Sequence, residues 1–272
     1  MKFGISTYSL TWAIGVPGYP RTLPNLTALL FLERAARSDV ALVQFADNLP
    51  MNALTAPELA QVRDSAREKN LSVELGTRGT DPEHLRKYLS LAKYLNCRLV
   101  RTMVTVPELA VARAELSQVM EEFKEARIQL AIENHGLHRC SDLALLVSGF
   151  ETPYLGCCLD TVNNFSALEL PETVIEVLAP LTINLHIKDF TIQRHRHMMG
   201  FEILGTPAGS GLLKVDEVVR KLQYSDKKPT AVLEVWVPYT GEVEETVLLE
   251  ESWLEKSLEY ARTLPQLQFK ET

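Results

Sequence analysis

Two hydrophobic rhythms take turns along this chain. Short, nearly continuous apolar runs lie at Phe3–Ser6, Ala41–Phe45, Leu71–Leu75, Arg98–Val104, Ile128–Ile132, Tyr154–Leu159, Ile183–Ile187 and Ala231–Val235. Runs this short and this apolar read as strands covered by protein on both faces. Between them stand amphipathic stretches: Pro24–Arg37, Pro57–Lys69, Pro82–Leu95, Pro107–Lys124, Ser141–Ser148, Pro171–Leu178, Val215–Leu222 and Glu245–Thr263. In Pro107–Lys124, Ala112, Leu116, Val119, Met120 and Phe123 fall on one helical face, and a proline opens the segment. Strands that each lead into a helix predict an α/β fold, a single (β/α)8 TIM barrel, with a doubly wound sheet as the alternative. No linker or composition break interrupts residues 1–272, so one barrel domain is expected throughout.

Two connections break the rhythm. Thr7–Leu23 carries Tyr8, Trp12, Gly15, Pro17, Gly18 and Tyr19, a mix of aromatics and turn formers suited to a loop over a small ligand. Lys188–Gly211 is longer, a length at which loops are usually functional or disordered, and its glycine-rich GTPAGSG lacks a phosphate-binding fingerprint and reads as a flexible connection. Both follow strands, and in a barrel the loops after strands form the active face.

Charge and cysteine usage narrow the function classes. The formal charge of −7, without a basic run, argues against a nucleic-acid partner. Four cysteines without a CxxC spacing suggest neither a zinc knuckle nor a disulfide framework. The amino terminus does not read as a secretory signal, and no stretch approaches the ~20 apolar residues of a membrane span. A cytoplasmic protein is the expectation.

The candidate chemistry sits in four strings, AIENHG, CLDTVN, LHIKD and VLEVW. Each puts one metal-capable side chain at or near a strand end: Glu133, Asp160, His186 and Glu234. Singly, each has an ordinary explanation: a helix cap for Asp160, a core histidine for His186, an ion-pair partner for either glutamate. On four consecutive strands they converge at one mouth. Three carboxylates and an imidazole favour one hard divalent cation, Mn²⁺, Mg²⁺ or Co²⁺, with Zn²⁺ also compatible.

With IENHG, LDT-x-N and H-x-KD in place, the chain resembles the xylose-isomerase-like barrel superfamily along its whole length, from GIS to LEV. That superfamily includes ketose 3-epimerases, hydroxypyruvate isomerase, inosose dehydratase and endonuclease IV. The resemblance implies that Glu133, Asp160, His186 and Glu234 bind one metal and that Glu133 and Glu234 also move the proton. It implies a metal-dependent isomerase or epimerase acting on a carbohydrate through an enediolate, with a homo-oligomer expected as among relatives. The chain also departs from the ketose 3-epimerases, which often carry histidine where Asn163 stands.

The segment after His186 is cationic, with Lys188, Arg194, His195, Arg196 and His197. Read as a solvated face it does nothing. Read as part of the site, Lys188 and Arg194 neutralise a substrate carboxylate or phosphate. A 3-oxo sugar acid could then lose CO₂ to the same enediolate, so a decarboxylase or dehydratase is the alternative activity. Endonuclease IV chemistry needs a histidine-rich three-zinc cluster that this sequence lacks, and a non-catalytic sugar-binding barrel would not need both glutamates. His135, Asn163, Trp12 and Tyr8 complete the expected substrate-binding set. Trp236, Glu74 and Asp189, the last as an orienter of His186, remain open between site and structural roles.

Overall fold

A computed structural model describes residues 1–270. Ten strands occur in chain order: β1 (Phe3–Ser6), β2 (Leu42–Phe45), β3 (Ser72–Gly76), β4 (Leu99–Met103), β5 (Gln129–Glu133), β6 (Leu155–Asp160), β7 (Thr182–Ile187), β8 (Asp189–Arg194), β9 (Phe201–Thr206) and β10 (Thr230–Leu233). The helices are α1 (Thr11–Ile14), α2 (Ala28–Arg37), α3 (Ala56–Glu68), α4 (Pro82–Tyr94), α5 (Leu109–Ser117), α6 (Met120–Ala126), α7 (Cys140–Ser148), α8 (Pro171–Leu178), α9 (Val215–Gln223) and α10 (Val243–Arg262). Strands β1 to β7 pair in parallel, each with its chain neighbour, and β10 closes the ring between β7 and β1. The fold is a closed eight-stranded parallel α/β barrel, as the alternation predicts.

Local chemistry sets the helix starts. The Thr27 side chain caps α2, Thr55 and Glu58 form a reciprocal capping box on α3, and Asp81 caps α4 with Pro82 in its first turn. Apolar helix faces pack on the outside of the strands and form the main core. Leu99, Ala131, Cys158 and Ile183 form a small separate apolar cluster.

Two expectations need correction. The stretch predicted as one helix over Pro107–Lys124 is two, α5 and α6, with the chain tightening where Gln118 and Val119 bond back three residues. The break still leaves Leu116, Val119 and Phe123 fully buried, so the apolar face survives without a continuous rod. The stretch expected as a long loop, Lys188–Gly211, contains an antiparallel hairpin of β8 and β9 outside the barrel sheet, pairing Asp189 with Thr206 through to Arg194 with Phe201. Asp189 ties both ends of this excursion together: its carboxylate accepts the amides of Phe190, Gly209, Gly211 and Leu213 at 2.8–3.0 Å. It is a loop anchor and does not orient His186.

Candidate metal centre and active site

Strand pleat and register bring the four chemical side chains together. Glu133 and Asp160 end β5 and β6, His186 lies one residue before the end of β7, and Glu234 directly follows β10. Asp160 pairs with His186, and His186 with Val232, in the barrel register. Alternate residues on a strand share a face, so position 186 on β7 faces the same side as 232 on β10, its register partner, with Glu234 two residues further on. His186 Nδ1 lies 3.4 Å from Glu234 Oε1, 3.6 Å from Glu133 Oε1 and 3.9 Å from Asp160 Oδ2. All four residues are at most 3% exposed.

Asp160 is held by its backbone surroundings. Its Oδ1 accepts the amides of Val162 and Asn163, both at 2.9 Å, and Asn134 bonds its backbone on both sides. Asp160 Oδ1 thus fastens the turn after β6, while Oδ2 faces the cluster. Its Oδ2 has no well-aligned hydrogen-bond partner, and neither do Glu133 Oε2, Glu234 Oε1 and both nitrogens of His186. Asp160 Oδ2 and Glu133 Oε2 face cations instead, which leaves Glu234 Oε1 and the two His186 nitrogens without partners; buried polar atoms are ordinarily satisfied, so such a group suits a ligand.

Two cations flank the carboxylates. Lys188 Nζ lies 2.8 Å from Asp160 Oδ2 and 2.9 Å from Glu234 Oε2. Arg101, from the middle of β4, is 1% exposed and places Nε 3.1 Å from Glu133 Oε2 and a terminal nitrogen 3.6 Å from Asp47. Gly76 makes room for it: a Cβ there would stand 3.1 Å from the Arg101 guanidinium carbon. Asp47 also pairs with Arg78 and accepts the Tyr8 hydroxyl at 3.1 Å.

These contacts set the protonation states. Burial works to raise the pKa of Glu133, but Arg101, His186 and Lys188 outweigh it and hold the carboxyl well below its ordinary value. Glu234 is lowered too, with burial opposed by His186 and Lys188. Burial opposes the charged forms of His186 and Lys188; the surrounding carboxylates reverse this and raise both. Cys158 lies close enough to Glu133 and His186 to be a ligand, and burial raises its thiol pKa well above the ordinary value.

Above this cluster opens a cleft in two lobes of about 280 and 470 Å³. Lys188, Ile203 and Trp236 line both. Tyr8, Trp12 and Glu234 line the larger lobe and Asn163 the smaller. Asn163 also donates to Glu133 Oε1 at 2.9 Å. Five of the anticipated residues thus share the cleft with Trp236. Two anticipated residues stand apart. His135 is exposed and lines neither lobe. Arg194 is exposed on the hairpin, its guanidinium 4.3 Å over the Phe201 ring and bonded to the Met198 carbonyl. The sequence reading missed Arg101 and Ile203. For Arg101 a signal existed, a lone arginine inside the apolar run LVRTMV; for Ile203 there was none, because the hairpin itself was read as loop.

The sequence profile of the xylose isomerase-like TIM barrel matches residues 32–264. The chain belongs to that family. Its similar proteins differ in activity. A 3-oxo-isoapionate decarboxylase from Pectobacterium atrosepticum is 35% identical over 268 residues, covering 97% of this chain and 96% of that protein. The crystal structure of a D-psicose 3-epimerase in the presence of D-fructose superposes with a TM-score of 0.69 at 16% identity, covering 97% of this chain and 99% of the other. An IOLI protein with a bound zinc atom gives a TM-score of 0.67 at 14% identity, covering 96% and 99%. At these identities the two structures speak to fold alone.

This xylose isomerase-like barrel carries residues that fit a divalent ion. Asp160, His186 and Glu234 offer donor atoms mutually within 4.8 Å, and Glu133 lies beside them on His186. The donor set is oxygen-rich, and Glu234 Oε1 and the His186 nitrogens in it are unpaired.

Proposed function

We propose that this protein decarboxylates a 3-oxo sugar acid with the help of one divalent ion held by Glu133, Asp160, His186 and Glu234. The observation that carries this reading is the end-to-end similarity to the 3-oxo-isoapionate decarboxylase. It reverses the order of the two activities drawn from the sequence, since the isomerase reading rests on fold-level likeness.

In a 3-oxo acid the bond between the carboxyl carbon and its neighbour can break because its electron pair passes into the ketone, leaving an enolate. A bound divalent ion would supply Lewis-acid stabilisation of that oxygen charge. The protein's own groups supply the rest. Lys188 is the ammonium at the mouth of the site, 15% exposed, and meets an anionic substrate as it arrives. Trp12, Trp236 and Val237 form an apolar wall of the larger lobe, where a carboxylate loses water and neutral CO₂ does not suffer for it. One proton must then reach carbon. Lys188 is the ammonium that faces the cleft beside Asp160 and Glu234, and so is the group placed to deliver it. One CO₂ leaves, one proton is consumed, and the product is a ketose.

A second reading has its own support. Glu133 and Glu234 both approach His186 Nδ1, and a carboxylate pair of this kind suits removal and return of a proton in ketose epimerisation. The experiment is one-pot: 3-oxo-isoapionate and a panel of ketohexoses are incubated with enzyme and Mn²⁺ in D₂O and followed by NMR. The expected result is CO₂ release with one deuterium at the carbon that held the carboxylate. Deuterium exchange into a ketohexose without loss of CO₂ from any acid would overturn the proposal in favour of epimerisation.

A further inference from the structure

Glu250, on α10, is fully buried and plays no part in the metal cluster. Among the described residues no basic side chain pairs with it. Its two oxygens divide between two backbone amides of the loop over the mouth: Oε1 accepts Trp12 N at 2.9 Å and Oε2 accepts Ala13 N at 3.0 Å. Those amides belong to α1, a four-residue turn too short to hold itself together. From there the Trp12 indole donates to the Val237 carbonyl at 3.0 Å, stacks on Tyr239 and meets Tyr19 edge-on. Trp12 and Glu250 line the larger lobe together with Glu234 and Lys188.

We propose that Glu250 is a positioning residue for substrate: its bridge to the Trp12 and Ala13 amides seats the indole as a wall of the cleft and so sets substrate affinity rather than turnover. The identity of the substrate rests on the decarboxylase reading; the bridge does not.

The other buried positions of α10 are Thr246, Leu254, Ser257, Leu258 and Ala261, groups that cost little to bury. An ionisable residue in that company is expensive, and two amide donors are what a carboxylate can satisfy. Burial pushes the Glu250 carboxyl up to about 8, against the pull of the two amides. The charges around it are Glu251 on its own helix, Arg21 and Glu244 on the far side of Ala13, and Lys188 and Glu234 across the lobe. The ionised form accepts both amides. A protonated oxygen would point its hydrogen at a donor and release one of them, so the bridge completes as pH rises through 8.

The test pairs amide hydrogen exchange at Trp12 and Ala13, corrected for intrinsic exchange, with steady-state kinetics on 3-oxo-isoapionate for wild type and Glu250→Gln. Protection of both amides is expected to rise through pH 8 in wild type and to be flat and about tenfold lower in the variant, with KM up about tenfold and kcat within about threefold. Wild-type protection that is flat across pH 8 would overturn the proposal without any variant. So would a Gln variant with wild-type protection and KM, or one that loses kcat at constant KM. If wild type does not turn over the acid, the decarboxylase reading fails, while the amide measurement still decides the bridge.

Discussion

The barrel encloses two polar clusters separated by two residues along one strand, and they are built on opposite principles. The lower one centres on Glu74, which accepts from Thr230 at 2.7 Å, Gln44 at 3.1 Å and Asn184 at 3.2 Å. Burial raises its pKa and favours the neutral acid. The upper one starts two residues further along β7, at His186, and there the carboxylates Glu133 and Glu234 are held ionised while Glu234 Oε1 and both His186 nitrogens lack partners. Both clusters are equally dry, so burial does not tell them apart. What differs is whether the oxygens are used up. A buried acid whose oxygens are all bonded supports the barrel; a buried acid kept charged with an oxygen free is available to a ligand.

The difference can be broken from either side. The largest effect is expected at the functional layer: Lys188→Met should lower kcat by about 10²–10⁴-fold, the range of a lost general acid, measured as CO₂ release. Thermal stability should fall as well, because buried Asp160 and Glu234 lose a cation at 2.8 and 2.9 Å, so turnover is compared per folded molecule. Next comes the cation that does most to keep Glu133 ionised. Arg101→Met leaves Glu133 and Asp47 without a buried counter-ion and should cost about 3–5 kcal/mol in urea unfolding. A smaller effect is expected in the lower layer. Glu74→Gln is a near-isostere that can keep bonds to Thr230, Gln44 and Asn184, so stability should fall by less than about 1.5 kcal/mol and turnover should stay intact. The smallest belongs to the hairpin: Arg194→Ala, outside the cleft, should leave turnover unchanged and stability within about 0.5 kcal/mol. Loss of activity in Glu74→Gln would erase the distinction between the layers.

Much of this was legible in the chain because its signals are local. Runs such as LVQF and TINLHI announce buried strands on their own, and the strand-end positions of Glu133, Asp160, His186 and Glu234 follow once the strand boundaries are known. Residues whose role depends on distant partners were not legible. Arg101 matters because Gly76 leaves it space and Glu133 and Asp47 meet it, and none of these is near it in sequence. The cationic stretch from Lys188 to His197 looked uniform, yet Lys188 turns toward Asp160 and Glu234 while Arg194 turns to Phe201. The β8–β9 pairing decides that, and its alternation was masked by polar residues on an exposed ribbon.

The claim that the unpartnered layer is a metal centre is tested most directly by metal content. Protein purified without chelator or metal-affinity tag is dialysed against Mn²⁺ and analysed for wild type, Asp160→Ala and Glu74→Gln. About one ion per chain is predicted in wild type and Glu74→Gln and none in Asp160→Ala, from the loss of one of four ligands. No uptake by wild type, or full occupancy in Asp160→Ala, would contradict it.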